Sequence, residues 1–245
     1  MKNAKFSVGF ATTQEELMGA YKLRYEDLVL SYRQDNVTEL GYDTNSYDAY
    51  AKHIIVKENE TGEIVGYYRM IESGDLSDGQ TFVCEEEYQF DSLKRSGEKI
   101  CEFSRAVVKK EYRGGVVLLL LWKFILQYML DNGVRYMIGD ASFYGTDRDV
   151  YVKQISYLVN NYAIDPSLNI RSRDTLPPMQ LIDTSGSDDR EMINSLPPLI
   201  KAYVTIGAKI SHETFTDTVF GSVDVFILVD LHHYNEPYVK RLLSF

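Results

Sequence analysis

The run 116–126, Val-Val-Leu-Leu-Leu-Leu-Trp-Lys-Phe-Ile-Leu, carries one charge, Lys123, in eleven residues. It is too short to cross a bilayer, which takes roughly 20 apolar residues. A helix that is apolar nearly all round must instead be buried in a core. A chain of 245 residues can build such a core without disulfides or metal, as one large domain or two small ones. Acidic residues outnumber basic ones 36 to 26, for a net charge of −10, which argues against nucleic acid as a partner. Two cysteines, Cys84 and Cys101, fit neither a zinc spacing nor a disulfide framework, so a reducing cytoplasm is expected. Residues 1–10 lack the apolar stretch of a secretory signal.

Hydrophobic periodicity places the other elements around that helix. Thr13-Gln-Glu-Glu16 has the form of a capping box and predicts a helix to about Ser31. Leu17, Tyr21, Arg24 and Leu28 recur at helical spacing, which sets Arg24 on an otherwise apolar face. Residues 53–57 and 64–71, joined by Thr61-Gly62, read as a hairpin. Residues 41–48 read as a loop, and 73–98 as a loop with one short helix. Strands follow at 100–108 and 134–138, and a helix at 146–162. Proline opens a further helix at 197–206, Gly207 stops it, and two strands, 208–215 and 223–231, close the order. This predicts one α/β domain over 1–245 with a mixed sheet. The long loop 163–195 carries Ile170, Leu176, Met179, Leu181 and Ile182. It is expected either to act as a lid or to be held on the core by those residues.

Charges fall where the pattern wants apolar residues. Arg69 shares a strand face with Val65, Tyr67 and Ile71; Glu102 shares one with Ile100, Ala106 and Val108, and Arg105 shares the opposite face with Cys101, Phe103 and Val107. If helices cover both faces, these charges are buried and must be paired or lose ionisation. Two readings stand at this point: a structural one, either an ion network or an edge strand with one wet face, and a polar site in which burial raises the pKa of Glu102 for base catalysis. Tyr112-Arg113-Gly114-Gly115, at a helix start, could take a phosphate on backbone N–H groups or be simple turn chemistry. Lys109, Lys110 and Arg113 form a small basic cluster. The four histidines have no metal-ligand spacing, so no metal site is expected, and no G-x-S-x-G elbow occurs.

Leu23-Arg24-Tyr25, Tyr47-Asp48, Gly66-Tyr-Tyr-Arg69 and Glu102-Phe-Ser-Arg105, in that order, resemble the charged signature of the acyl-homoserine-lactone synthases and N-acyl amino acid synthases. The segment 196–208, with Asp217 and Phe220-Gly-Ser-Val-Asp224, is similar to the ornithine-lipid branch, which makes acylated amino acids as lipid precursors. All belong to the GNAT acyltransferase superfamily. Two departures stand out. Arg113 is followed at once by Gly114 and Gly115, unlike the usual R-x-x-G-x-G/A pyrophosphate loop, which favours a carrier-protein thioester. Asn45 stands where the lactone synthases carry an acid.

The resemblance implies a GNAT-like fold: a mixed, mostly antiparallel sheet splayed at its centre, with helices on both faces. It implies transfer of a long acyl chain from acyl carrier protein, or acyl-CoA, to the α-amine of an amino acid, with the phosphopantetheine thioester a substrate and no tightly bound cofactor. Glu102 would be the base, directly or through a water, and Arg24, Asp48, Arg69 and Arg105 would organise the site. The donor arm would lie along Ser104, Ala106, Val107 and Val108, with Arg113, Gly114 and Gly115 at its phosphate end. The expected location is cytoplasmic, with a peripheral contact at the inner face of the membrane left open. A lactone-type signal synthase, a small-molecule N-acetyltransferase and a non-enzymatic carrier-binding module remain alternatives.

Overall fold

The computed structural model describes residues 5–32 and 40–244. In chain order these residues form β1 (Phe6–Phe10), α1 (Gln14–Arg24) running through a π-turn (Tyr25–Val29) into α2 (Leu30–Tyr32), β2 (Lys52–Glu58) and β3 (Ile64–Glu72). There follow β4 (Tyr88–Gln89), α3 (Asp91–Lys94), β5 (Ile100–Val108), α4 (Val116–Asp131), β6 (Tyr136–Tyr144) and α5 (Val152–Tyr162). The rest comprises β7 (Arg171–Ser172), α6 (Asp189–Ser195), α7 (Pro198–Ile206), β8 (Lys209–Asp217), β9 (Ser222–Asp230) and α8 (Glu236–Ser244).

Seven strands make the main sheet in the order β1-β2-β3-β5-β6-β9-β8, while β4 and β7 pair separately. Every neighbouring pair in the main sheet is antiparallel except β5–β6. That parallel pair has only the rungs Ile100–Tyr136, Cys101–Met137 and Glu102–Ile138. Beyond them the strands part, as the sequence resemblance implied. Gly139 stands at the parting, where a Cβ would lie 2.5 Å from the Phe103 carbonyl oxygen. No other residue fits there without moving backbone.

The apolar helix α4 lies on one face with α7 and α8. Its Val117, Leu121, Ile125 and Met129 pack with Tyr68 and Phe103 of the sheet, Ile200 and Tyr203 of α7, and Val239 of α8. The opposite face is covered in two patches: Ala20 and Leu23 of α1 pack with Tyr67 and Val107, and Phe82, Phe90 and Leu93 pack with Ile100, Ile138 and Phe226. Thr13 caps α1 by accepting from the Glu16 N–H at 3.2 Å. The Glu16 carboxylate, however, bonds the N–H of Thr12 at 2.9 Å, so the capping box closes one residue early. Gly207 ends α7 at φ +103, in the left-handed region that favours glycine.

The structure corrects the sequence reading at several points. β1, whose period-2 pattern is short, and α8 were not foreseen. The segment 148–151 is a 3₁₀ turn ahead of α5, and β6 runs on to Tyr144. Side-chain alternation fails twice. Between the rungs Arg69–Ser104 and Tyr67–Val107, β5 carries one residue more than β3. Arg105, at φ +56, absorbs the excess. Val107 therefore joins Tyr67 under α1, while Ala106 and Val108 turn to the α4 side with Cys101 and Phe103. Val65, at the β2–β3 irregularity, sides with Tyr68 and Met70 rather than with Arg69. The segment 163–195 is tied to the sheet edge and α5: Arg173 N–H donates to the Glu87 carbonyl, Ser172 N–H to the Glu213 carboxylate and Ile182 N–H to Ser156 Oγ. Leu176, Leu181 and Ile182 stay exposed, Met179 packs on the core and Ile170 is buried. Among the described residues no helix is long and apolar enough to cross a membrane.

Because Gly139 touches backbone rather than a movable side chain, Gly139→Ala is expected to destabilise the fold by about 1–3 kcal/mol. Urea denaturation measures it; an unchanged midpoint would mean that the parting strands tolerate the extra carbon.

Candidate functional site

Where β5 and β6 part, a cleft of about 410 Å³ opens through the sheet. Its α4-side wall contains Tyr68, Phe103, Leu118, Leu121 and Tyr203. Charged groups gather on the other side: Glu87, Arg105, Asp140, Asp217 and Asp224. Period-2 alternation on β6 and β9 puts Asp140 on the face of Ile138, and Asp224 on the face of Phe226. Ser104, Ala106, Val107, Val108 and Arg113, expected along the donor arm, all line this cleft. Arg105 and Ala106 have no rung with β3, and the β6 ladder ends at Glu102, so the backbone at the bulge faces the opening.

The other expected site residues lie behind that wall. Arg24 is fully buried; its Nη1 donates to Asp48 Oδ1 at 2.7 Å and its Nε to Asp43 Oδ2 at 2.8 Å. The Tyr21 and Tyr67 rings flank its guanidinium, at 5.4 and 5.5 Å. Arg69, also fully buried, donates from Nη1 to Asn45 Oδ1 at 2.8 Å and Asp48 Oδ1 at 3.3 Å, and from Nε to Ser104 Oγ at 3.0 Å. Burial opposes the charge on Asp48, but Arg24, Arg69 and the Asn45 N–H outweigh it and hold the carboxylate below its ordinary range. His53 Nε2–H donates to the Asp48 carbonyl at 3.1 Å, Nδ1 and the Tyr67 hydroxyl share a hydrogen bond at 2.8 Å, and burial lowers the pKa of the ring, which favours its neutral form. The network ends on Ser104, one residue before the bulge.

Glu102 does not line the cleft. Its Oε1 accepts from the Cys84 N–H at 2.7 Å and its Oε2 from the Val83 N–H at 2.8 Å. Burial raises its pKa, and the two N–H groups lower it only in part. Asp140 does line the cleft, and burial followed by the charge of Glu102 pushes its pKa well above the usual range.

Sequence reasoning did not find the carboxylate group as a unit. One oxygen each from Glu87, Asp217 and Asp224 lies within 4.8 Å of the others. Burial first, then neighbouring carboxylates, raises Glu87, and burial raises Asp224 to about 6. Oxygens of Glu87, Asp140 and Asp224 have no hydrogen-bond partner among the described residues. The acids come from four separate elements, and only their shared arrival at the cleft marks them.

At the opposite end, Arg113 donates from Nε to the Val108 carbonyl at 3.0 Å and pairs with Asp27 at 3.1 Å. Lys109 pairs with Glu63, so two cations of the expected basic cluster are already neutralised, while Lys110 is exposed. Gly115 starts α4 without a side-chain cap, leaving first-turn N–H groups for an anion. Gly114 and Gly115 are beside the cleft rather than in its wall. No residue of 163–195 contributes to the wall, so a lid from that segment has no footing in this arrangement.

The raised carboxylates set a pH dependence. Unfolded, they ionise near pH 4; folded, they hold protons to higher pH, so stability falls as pH rises through that window. His53, whose pKa burial lowers, acts in the opposite sense, but only below about 6.5. Between about pH 6.5 and about pH 9 the urea midpoint is therefore expected to fall, and Glu87→Gln to flatten the slope. Equal slopes in the two proteins would remove Glu87 from this account.

Residues 23–123 match the acetyltransferase (GNAT) domain family. The chain is 26% identical over 249 residues to the L-ornithine N(alpha)-acyltransferase of Rhodobacter capsulatus, covering 95% of this chain and 93% of that protein. It is 26% identical over 247 residues to the L-ornithine N(alpha)-acyltransferase of Brucella abortus, covering 95% and 87%. The solved structure of MesI, a CoA-dependent acyl-homoserine lactone synthase, shares the fold, with a TM-score of 0.53 at 11% identity over 98% of this chain and 96% of that one. Residues 23–123 thus carry a GNAT domain, and the chain is an acyltransferase similar over nearly its whole length to the L-ornithine N(alpha)-acyltransferases.

Proposed function

We propose that the chain moves a long acyl group from the phosphopantetheine thioester of acyl carrier protein to the α-amine of L-ornithine. The observation that carries this reading is the two-sided cleft, apolar towards α4 and charged on the opposite face, with an unpaired strand bulge between them. The names of the sequence relatives support ornithine as acceptor. The departure at Arg113-Gly114-Gly115 and the exposed Lys110 support a carrier protein as donor.

In this reading the acyl chain lies against Leu118, Leu121 and Tyr203, and the pantetheine arm runs along residues 104–108. Arg105 takes the acceptor carboxylate, which a guanidinium can hold bidentately. The α-ammonium gives up its proton to ionised Asp140, behind which Glu102 sustains the basicity. The freed amine attacks the thioester carbonyl carbon, forming the C–N bond. The Ala106 N–H supports the developing oxyanion, a contribution of about 3 kcal/mol for such donors. The C–S bond then breaks, and the sulfur leaves as a thiol with a proton from the nitrogen. Arg24, Asp48 and Arg69 act as positioning residues that hold Ser104 and the bulge.

Mass spectrometry of the product from purified protein, palmitoyl carrier protein and L-ornithine tests the proposal. The expected product is Nα-palmitoyl-ornithine, formed with a higher kcat/KM than from palmitoyl-CoA. Asp140→Asn is expected to lower kcat on the order of 10²-fold. Lys110→Glu is expected to raise KM for the carrier, most at low salt. No acylated amine from either donor would overturn the proposal; equal use of both donors would remove the carrier preference.

A further inference from the structure

Five acids and two arginines line the cleft. Arg113 is paired with Asp27, and Arg105 already faces Asp43 at 3.5 Å. Glu87, Asp140, Asp217 and Asp224 therefore outnumber the lining cations that could balance them as carboxylates. Burying carboxylates this way costs free energy unless they are paired or protonated. Asp224 makes the point most sharply. It is 3% exposed; Ser222 Oγ serves its Oδ2 at 3.0 Å, the Ser142 hydroxyl also bears on the carboxylate, and Oδ1 is buried beside the cleft without a well-aligned partner among the described residues.

The surroundings hold these groups in place. Tyr88, fully buried, donates its hydroxyl to the Asp224 carbonyl at 2.8 Å. Asp217 Oδ1 accepts from the N–H groups of Val219 and Phe220 at 2.7 and 2.8 Å. The Glu87 carbonyl accepts from Arg173 N–H at 2.7 Å. Hydrogen bonds thus fix the backbone or one oxygen of each acid, while Asp224 Oδ1 and Glu87 Oε2 are buried without a hydrogen-bond partner among the described residues.

We infer that Glu87, Asp217 and Asp224 form a subsite for the distal ammonium of a diamino-acid acceptor, and so determine acceptor specificity. This rests on the acyl-transfer reading above. The spacing suits such a group: acceptors at about 2.9 Å around a tetrahedral ammonium stand about 4.7 Å apart. The three oxygens lie within 4.8 Å of one another. The α-amine would then meet Asp140 while the second cation neutralises the acids beyond it, so one acceptor relieves both parts of the cluster. A neutral side chain of the same length would leave the carboxylates buried and unpaired. Loss of a hydrogen-bonded partner from a polar site discriminates far more than loss of a methylene does.

The experiment compares L-ornithine with L-norvaline, which has the same carbon chain and no distal amine, under identical acyl-donor conditions. Wild type is expected to favour ornithine on the order of 10²-fold or more in kcat/KM. Asp224→Asn and Glu87→Gln are each expected to cut that ratio at least about tenfold, chiefly through KM for ornithine. Both substitutions keep the side-chain shape and remove a carboxyl group that can ionise against an ammonium, and thermal melts report whether each variant is folded. A ratio unchanged in both folded variants, or wild type using norvaline as well as ornithine, would overturn the subsite while leaving acyl transfer intact. So would calorimetric binding of Mg²⁺ or Ca²⁺ that Asp224→Asn abolishes without altering the ornithine preference. Acylation of neither amine would instead reject the transfer reading itself.

Discussion

Three parallel rungs between β5 and β6 govern this molecule. They hold the two halves of the sheet together from Ile100 to Glu102, and then the ladder stops. The Phe103 carbonyl presses on Gly139, and no side chain can occupy that contact. Past it, β5 turns its faces over at Arg105 and β6 continues with β9. An opening in the middle of a sheet would normally be filled by further hydrogen bonds, since buried backbone groups must be satisfied. Here the unpaired backbone lines a cleft in which a substrate's own amide and carbonyl groups can meet it. The apolar helix α4 then has a second role beyond core packing, because Leu118 and Leu121 form the wall of that opening.

Two opposite treatments of buried charge stand side by side. Behind the β3–β5 kink, Arg24 and Arg69 converge on Asp48, with Tyr67 and His53 completing the hydrogen bonds. That group is paired, and it keeps the bulge in one arrangement. In the cleft, Asp140 and Asp224 are held in low-dielectric surroundings with oxygens unserved. A protein selected for stability alone would replace such residues with apolar or paired ones. Their presence on the wall of the cavity, rather than in its supports, is what ties them to recognition. The contrast separates the charges that shape the site from those that face its contents.

Much of this was legible in the sequence, and the failures have physical causes. Arg24, Arg69 and Glu102 announce themselves because each interrupts an apolar stripe or strand face, and all three are fully buried. The strands, the apolar helix and the stop at Gly207 follow from periodicity and from the conformational demands of one glycine. The faces of β5 were misread beyond Ser104 because alternation assumes an unbroken ladder, and a non-glycine residue at positive φ gives no local signal. Glu102 was legible as buried but not as bonded: its partners are backbone N–H groups of a short turn at 83–86, which carry no residue identity. The acid cluster was hidden for a related reason. Asp217 and Asp224 flank the turn of the β8–β9 hairpin, Asp140 lies on β6 and Glu87 before β4, and only the packing of these separate elements brings them to one cleft.

The same geometry bears on the order of events. A covalent acyl-enzyme would need an activated nucleophile at the thioester, and thiolate character is what makes cysteine one. Cys84 and Cys101 are fully buried, and burial pushes both thiols above their ordinary range. Neither belongs to the cleft wall. Ser104, which does, has its hydroxyl engaged by Arg69, a donor that cannot act as a base. The cleft instead offers two separate approaches, one along the apolar wall under α4 and one along the carboxylates on the other face. Donor and acceptor can therefore be present together, each in the surroundings that match its chemistry. Direct attack within such a ternary complex gains its rate from orientation, and the parted strands are the element that sets that orientation.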